Sequence, residues 1–150
     1  MPTKSLNDLQ ENNLYTVVKD PAVLVNGTTV FTIVGGPIVI DEIVAICVTA
    51  NNATASTLQF SADGTDGAAA TITGASASLA NAAAGTIVAT VPGTLATAPA
   101  VYANGVGIAG TVGIIVPAGV ITTVVGVGST TGTWKLQMRY RPLGAGVQVY

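Results

Sequence analysis

The stretch that decides the fold is GTWKLQMRYRPLGAGVQVY, residues 132–150. Its first half alternates between apolar and polar side chains, which is the period-two pattern of a β-strand whose two faces meet different surroundings. The apolar positions are Trp134, Leu136, Met138 and Tyr140, and the polar positions are Lys135, Gln137, Arg139 and Arg141. We therefore predict a strand with one buried face and one cationic face.

The cationic face contrasts with the rest of the chain. Lys135, Arg139 and Arg141 are three of only five basic residues, and no charged residue lies between Asp66 and Lys135. Because a chain that needed only solubility would spread its charges, we predict that this face contacts a partner. The alternative is a solvated outer face that keeps an edge strand soluble.

The natural complement of the cationic strand is the acidic pair Asp41 and Glu42. We expect these carboxylates to pair with Lys135 or Arg139, either within one chain or across a subunit boundary. Arg139 and Arg141 are equally suited to acidic groups on a larger assembly. The predicted partner-contact residues are therefore Lys135, Arg139, Arg141, Asp41 and Glu42.

The overall composition predicts one associating domain. The chain has 150 residues, of which 49% are hydrophobic and only 8% are charged, against roughly 25% charged in ordinary soluble domains. Its surface must then consist largely of Thr, Ser, Asn, Ala and Gly, and such a neutral surface tends to associate. A net charge of −2 and a pI near 4.6 argue against nucleic acid as a partner.

Upstream of the cationic strand, the patterns are those of further short strands. The runs 14–18 and 22–25 are separated by Asp20-Pro21, and Asn26-Gly27 is the dipeptide of a type I′ hairpin turn. Residues 43–50 are almost continuously apolar, and residues 57–61 alternate. We predict further strands at 28–34, 38–40, 69–73, 86–91, 101–103, 106–108, 112–116, 120–125 and 147–150. Strands at this spacing predict an all-β sandwich or barrel.

The chain divides into a polar N-terminal arm, residues 1–13, and a β-sandwich domain, residues 14–150. The arm contains Lys4, Asp8 and Glu11 but no hydrophobic core of a secretory signal. It is either a free arm or an arm that becomes ordered on a neighbour. Residues 75–84 are predicted to be a loop or a short helix.

Residues 105–128 carry no charge and are long enough to span a bilayer. However, their glycines, their proline and their β-branched residues favour two buried strands with a turn at residues 117–119. We therefore predict no membrane partner.

The chain contains few of the residue types that commonly perform catalysis. The chain has no histidine and a single cysteine, Cys47, which we expect to be a buried apolar residue with a raised pKa. Asp41 and Glu42 are adjacent, so a regular strand would point them to opposite faces and prevent them from acting as a pair. The loop containing Asp63 and Asp66 is better explained as a β-turn than as a calcium site. We predict a non-enzyme with no catalytic residue, no cofactor and no metal.

Two stretches together resemble a known family. VFTIVGGPIVIDEIVAICVTANNATASTLQFSADG, residues 30–64, contains a strand, a Gly-Gly-Pro break, a long apolar strand and an amphipathic strand. TGTWKLQMRYRPLGAGVQV, residues 131–149, ends in an aromatic strand, a Pro-Leu, a Gly turn and a last strand. This pattern resembles the capsid decoration, or cement, proteins of tailed bacteriophages.

The resemblance implies a jelly-roll-like β-sandwich that forms homotrimers. It also implies a structural protein that binds the outside of a phage capsid, contacts the lattice of the major capsid protein and stabilises the shell. Its location would be the virion exterior, after assembly in the host cytoplasm. Two alternatives stay open: a tail, fibre or baseplate component, and a carbohydrate-binding β-sandwich module.

Overall fold

The computed structural model describes residues 14–90, 97–102 and 113–150, and within these ranges the chain forms eleven β-strands and no helix. The all-β prediction is confirmed. The predicted arm, residues 1–13, and the predicted strand at 106–108 lie outside the described ranges. The strands are β1 Tyr15–Val25, β2 Thr29–Val34, β3 Ile38–Cys47, β4 Leu58–Gly64, β5 Ala70–Thr71, β6 Ile87–Ala89, β7 Ala100–Tyr102, β8 Ile114–Val116, β9 Gly119–Val125, β10 Ser129–Pro142 and β11 Gln148–Val149.

The strands form two antiparallel sheets that pack as a β-sandwich. The larger sheet has the order β1-β10-β3-β6-β7, and β8 also pairs with β3. The smaller sheet has the order β11-β2-β9-β4-β5. Alternate residues of both sheets point inward and form one hydrophobic core. Its largest fully buried side chains include Phe31, Phe60, Ile43, Ile121 and Trp134.

β10 lies inside the larger sheet, between β1 and β3. All four predicted inward residues are buried, and Trp134 and Met138 have no exposed surface. Burying a large apolar side chain stabilises a fold by about 1.5–3 kcal/mol. The alternation therefore located both the strand and its buried face correctly.

Two local predictions near β1 are wrong. Asp20-Pro21 does not break the strand, because β1 continues through it with a shift of register against β10. Asn26-Gly27 does not form a hairpin, because β1 belongs to the larger sheet and β2 to the smaller one. Only Gly27 of the two has a positive φ, 76°, whereas a type I′ turn requires both. The turn instead carries the chain from one layer to the other.

Side-chain hydroxyl groups accept hydrogen bonds from backbone N–H groups of β4 where no neighbouring strand does so. The backbone N–H groups of Leu58 and Phe60 in β4 donate to the side chains of Ser76 and Thr73, each over 3.0 Å. These two acceptors lie in the segment that follows β4, beyond the short pairing with β5. An unpaired buried N–H group costs about 1–3 kcal/mol, so part of the high Ser and Thr content has an internal structural role.

In the uncharged region, the prediction of two strands with a turn is confirmed where the chain is described, but β8 is not a buried strand, because its Ile115 is 70% exposed. β8 and β9 flank Pro117 and Ala118, although they join different sheets and do not pair with each other. Residues 75–84 contain no helix. Within the ranges given above, no helix is long and apolar enough to cross a membrane.

Candidate partner-binding face

The cationic side of β10 forms the middle of the outer face of the larger sheet. Lys135 and Arg141 are exposed, and Gln137 and Arg139 are half-buried. Since β1 pairs on one side of β10 and β3 on the other, β10 is not an edge strand. The alternative that these charges keep an edge strand soluble is therefore wrong.

A β-bulge in β3 places both acidic residues on this same face. Arg139 lies opposite Glu42 and the next residue, Tyr140, lies opposite Ile40, so Asp41 is an extra residue in β3. Such an insertion interrupts the strict alternation of side chains. Asp41 and Glu42 are consequently both half-buried between buried neighbours. The prediction that they point to opposite faces is wrong because it assumed a regular strand.

Each arginine of β10 pairs with one of these carboxylates. Arg139 Nη2 lies 2.8 Å from Glu42 Oε2. Arg141 donates to both oxygens of Asp41, from Nε to Oδ2 over 3.0 Å and from Nη2 to Oδ1 over 2.9 Å. This two-point geometry is the strong form of a carboxylate–guanidinium contact. The hydrogen bonds from Arg141 to Asp41 raise the pKa of Arg141 above its usual value.

Gly113, the residue before β8, lies against the Asp41–Arg141 pair. A methyl group added at Gly113 would lie 2.5 Å from Cγ1 of Val39 and 3.4 Å from Nη2 of Arg141. The backbone therefore approaches the pair closely, and the Asp41 side chain keeps only 10% of its surface exposed. The pair is part of the packed sheet surface and is not a pair of free charges.

The face is consequently less cationic than the sequence suggested. Within-chain pairing neutralises Arg139 and Arg141, whereas Lys135 makes no ion pair with any described residue. Around Lys135 the outer face carries the apolar side chains of Val18, Val44 and Ile46. An apolar surface with one unpaired cation is suited to binding another protein.

The Arg139–Glu42 pair is expected to contribute modestly to stability. Its side chains are 30% and 12% exposed, and partly exposed pairs couple by about 0.5–1 kcal/mol. A double-mutant cycle with Arg139→Met and Glu42→Gln, followed by urea unfolding, should give that coupling and a smaller value in 1 M salt. The matched cycle with Lys135→Met should show none. Equal coupling in both cycles would contradict the pairing.

Other reactive groups lie apart from this face. Cys47 is buried, as predicted, its Sγ lies 3.2 Å from the carbonyl oxygen of Thr49, and burial raises its pKa. Asp63 lies at the end of β4 opposite Val120, and Asp66 lies in the following turn. In the described part of the chain, no three His, Cys, Asp or Glu residues are grouped so as to hold a metal ion.

The sequence patterns missed one buried polar centre. Asn51 accepts hydrogen bonds from the backbone N–H of Gly132 over 2.7 Å and from Nε1 of Trp134 over 3.3 Å. Its own Nδ2 donates to the carbonyl of Leu79 over 3.0 Å. Asn51 directly follows an apolar run in the sequence, where asparagine commonly marks a turn. Nothing in the sequence therefore distinguished it from an ordinary turn residue.

A cleft between the two sheets was also missed. It has a volume of about 320 Å³ and lies between β1 and the start of β2; we call it the edge cleft. Its lining includes Lys19, Val23, Val25, Val30, Trp134 and Leu136. One sequence pattern could have indicated this cleft. Tyr15, Val17 and Lys19 alternate with a period of two, which places Lys19 on the inward side of β1.

Comparison of the chain with family models, with curated proteins and with solved structures found no match. A function for this chain is therefore inferred from its own residues and their geometry. The outer face of the larger sheet combines apolar side chains, a lysine without an ion pair among the described residues and two neutralised arginines.

Proposed function

We propose that this chain is a structural protein of a tailed-bacteriophage virion, which binds the outside of the capsid as a homotrimer and stabilises the shell. Three features support this role: the two-sheet β-sandwich, the low-charge surface, and the sequence resemblance of residues 30–64 and 131–149 to capsid decoration proteins. The order in which the strands pair is the observation that supports the proposal most strongly.

The strand pairing is nested in the manner of a jelly roll. β1 pairs with β10, β2 with β9, β3 with β6, and β4 with β5. This is the pairing of an antiparallel ribbon folded back on itself, and rolling the ribbon up adds the contacts of β10 with β3 and of β9 with β4. This pairing supports the proposal that the sandwich is of the jelly-roll type, which viral capsid proteins use repeatedly.

Exposed apolar side chains support association with other chains. Ile115 is 70% exposed and lies beside Val39 on the outer face of the larger sheet, and Leu14, Tyr15 and Val18 are exposed along β1. Interface cores are depleted of charge and enriched in apolar side chains. A neutral, partly apolar outer face fits a protein that is covered by copies of itself and by a larger lattice.

The proposed mechanism is thermodynamic linkage. A protein that binds the assembled shell but not the loose subunits shifts the equilibrium toward the shell. A trimer engages several sites at once, so weak contacts from each chain are sufficient. Lys135 is the charged contact we favour, because the structure leaves it unpaired while Arg139 and Arg141 are neutralised within the chain.

The carbohydrate-binding alternative is weaker on one structural ground. The single tryptophan, Trp134, has no exposed surface, so it cannot stack on a sugar ring. A tail, fibre or baseplate role shares the same fold and differs in copy number, which is measurable on purified particles.

Light scattering after size exclusion tests the self-association. The expected mass is three times 14.8 kDa, and mixing with undecorated capsids should raise the temperature at which the capsids disrupt. Lys135→Glu is expected to weaken capsid binding at least tenfold without changing the mass, whereas Asp66→Lys, in a turn of the smaller sheet, should leave binding intact. A monomeric mass, or unaltered capsid stability, would contradict the proposal.

A further inference from the structure

The edge cleft lies where the smaller sheet is left uncovered. β11 pairs with Ile33 and Val34 of β2, and Tyr150 exchanges two backbone hydrogen bonds with Thr32. Toward Thr29, β2 has no strand on that side among the described residues. β1 forms the opposite wall, so the sandwich is open between its layers at this position.

The lining of the edge cleft is apolar in its larger part, and Thr28, Thr29 and Thr123 contribute polar atoms. The apolar lining includes Val23, Val25 and Val30 together with Trp134 and Leu136, which have almost no exposed surface. A dry apolar cavity of about 150 Å³ is enough to bind a benzene molecule. A cleft of about 320 Å³ therefore accommodates a leucine-sized side chain together with its neighbouring backbone.

Lys19 and Asp20 both line this space, so a cation and a carboxylate lie beside its apolar part. Lys19 lies opposite Leu136 in the register of β1 and β10, so its side chain points to the inward side of the sheet. Neither Lys19 nor the adjacent Asp20 takes part in an ion pair within the described ranges. The inward-facing Lys19 and the apolar lining are thus complemented by an apolar side chain with a carboxylate beside it, while Asp20 adds a negative charge to the same lining.

We propose that the edge cleft binds the N-terminal segment, residues 1–13, of a second copy of this chain. Within this segment Leu9 is flanked by Asp8 and Glu11, which is the combination that the cleft requires. Leu9 fills the apolar space, and a neighbouring carboxylate pairs with Lys19. Asp41 and Glu42 are already paired with arginines, so neither of them is available to pair with Lys19.

Register explains why the segment comes from another copy. It joins its own β1 at Leu14, only five positions before Lys19. Folding back through a turn at Asn12-Asn13 would lay Glu11 opposite residue 14 and Asp8 opposite residue 17. Leu6, and not a carboxylate, would then lie opposite Lys19, and Lys4, opposite residue 21, would lie as close to Lys19 as Asp8 does.

A segment from a neighbouring copy has no such constraint. Thirteen extended residues reach about 43 Å, which is sufficient to cross to an adjacent subunit. When each copy donates its segment to the next, the contact is head-to-tail, and it gives a closed trimer when the rotation between neighbours is one third of a turn. This inference rests on the self-association part of the proposed function and is independent of capsid binding.

Disulfide trapping in the full-length chain tests the exchange. Gln10→Cys, which leaves Leu9 in place, is combined with Val23→Cys, at a 44% exposed position in the edge cleft, while Cys47 is retained because it is buried. The control combines Gln10→Cys with Val124→Cys, at a 37% exposed position on the outer face of the smaller sheet. Under mild oxidation, we expect the first pair to form dimer and trimer bands on non-reducing gels at least ten times faster than the control.

Charge reversal adds a specific readout. Lys19→Glu should slow the trapping at residue 23 at least tenfold, and Asp8→Lys together with Glu11→Lys should restore it in the Lys19→Glu background. Equal trapping at residues 23 and 124 would overturn the inference, as would a disulfide that forms within one chain. Light scattering on the same samples separates the causes: a trimer without trapping refutes only the segment exchange, whereas a monomer refutes the self-association as well.

Discussion

Asn51→Ala is expected to lower the free energy of unfolding by about 3 kcal/mol. The substitution removes the acceptor of the Gly132 N–H and the Trp134 indole N–H and the donor to the Leu79 carbonyl. These groups lie in a buried region, where each unsatisfied partner costs about 1–3 kcal/mol. Urea unfolding at a fixed protein concentration measures the loss, and Trp134 fluorescence reports on the altered surroundings of the indole.

The neighbouring residue supplies a matched control for this prediction. Asn52 is exposed, and its Oδ1 accepts a hydrogen bond from the N–H of Thr54 over 2.8 Å in a surface turn. Asn52→Ala should therefore cost less than about 1 kcal/mol. Asn51→Asp should also destabilise, because it keeps the acceptor but replaces the donor with a buried charge. Equal losses for Asn51→Ala and Asn52→Ala would show that the buried network is not important for stability.

Gly119→Ala is expected to disrupt the pairing of β4 with β9, with a loss of at least about 3 kcal/mol. Gly119 has a φ of 150° and lies opposite Gly64. An added methyl group would lie 2.1 Å from the carbonyl oxygen of Asp63 and 2.8 Å from the Cα of Gly64. Both obstacles are backbone atoms, so no side-chain rotation relieves the clash.

Thermal unfolding measures this effect, with a drop of roughly 2–4 °C expected for each kcal/mol in a domain of this size. Gly67→Ala is the control, because Gly67 lies in the adjacent turn and a methyl group there would meet nothing within 4 Å. It should unfold within a few degrees of the parent chain. A Gly119→Ala variant with the parent's melting temperature would mean that β4 and β9 do not approach as closely as described.

The strands themselves were largely predictable, because their signal is local. Side chains alternate in β10 and β4, and a strand that buries one face imposes that pattern on adjacent residues. The turn at Pro117 was equally visible, since proline and glycine interrupt strands through their own backbone preferences. These features depend on neighbours in sequence, so no knowledge of the rest of the fold was needed.

The candidate site was predictable only in its residue types. The sequence suggested that Asp41 and Glu42 complement the basic strand, and the structure places both beside β10. It did not reveal the bulge that turns both carboxylates outward, nor that Arg141 is the partner of Asp41. A bulge depends on the register between two strands, and no pattern within one strand specifies that register.

The sequence by itself determined that this chain is an all-β protein with a low-charge surface, a cationic strand and no histidine-based chemistry. The tertiary structure alone decided that β1 and β2 lie in different sheets, that the arginines are neutralised, and that an apolar cleft opens beside Lys19. The physical reason is the distance along the sequence over which the interactions act. Alternation and turn preferences act between adjacent residues, whereas contacts such as that of Asn51 with Gly132 join positions 81 residues apart and exist only once the sheets have packed.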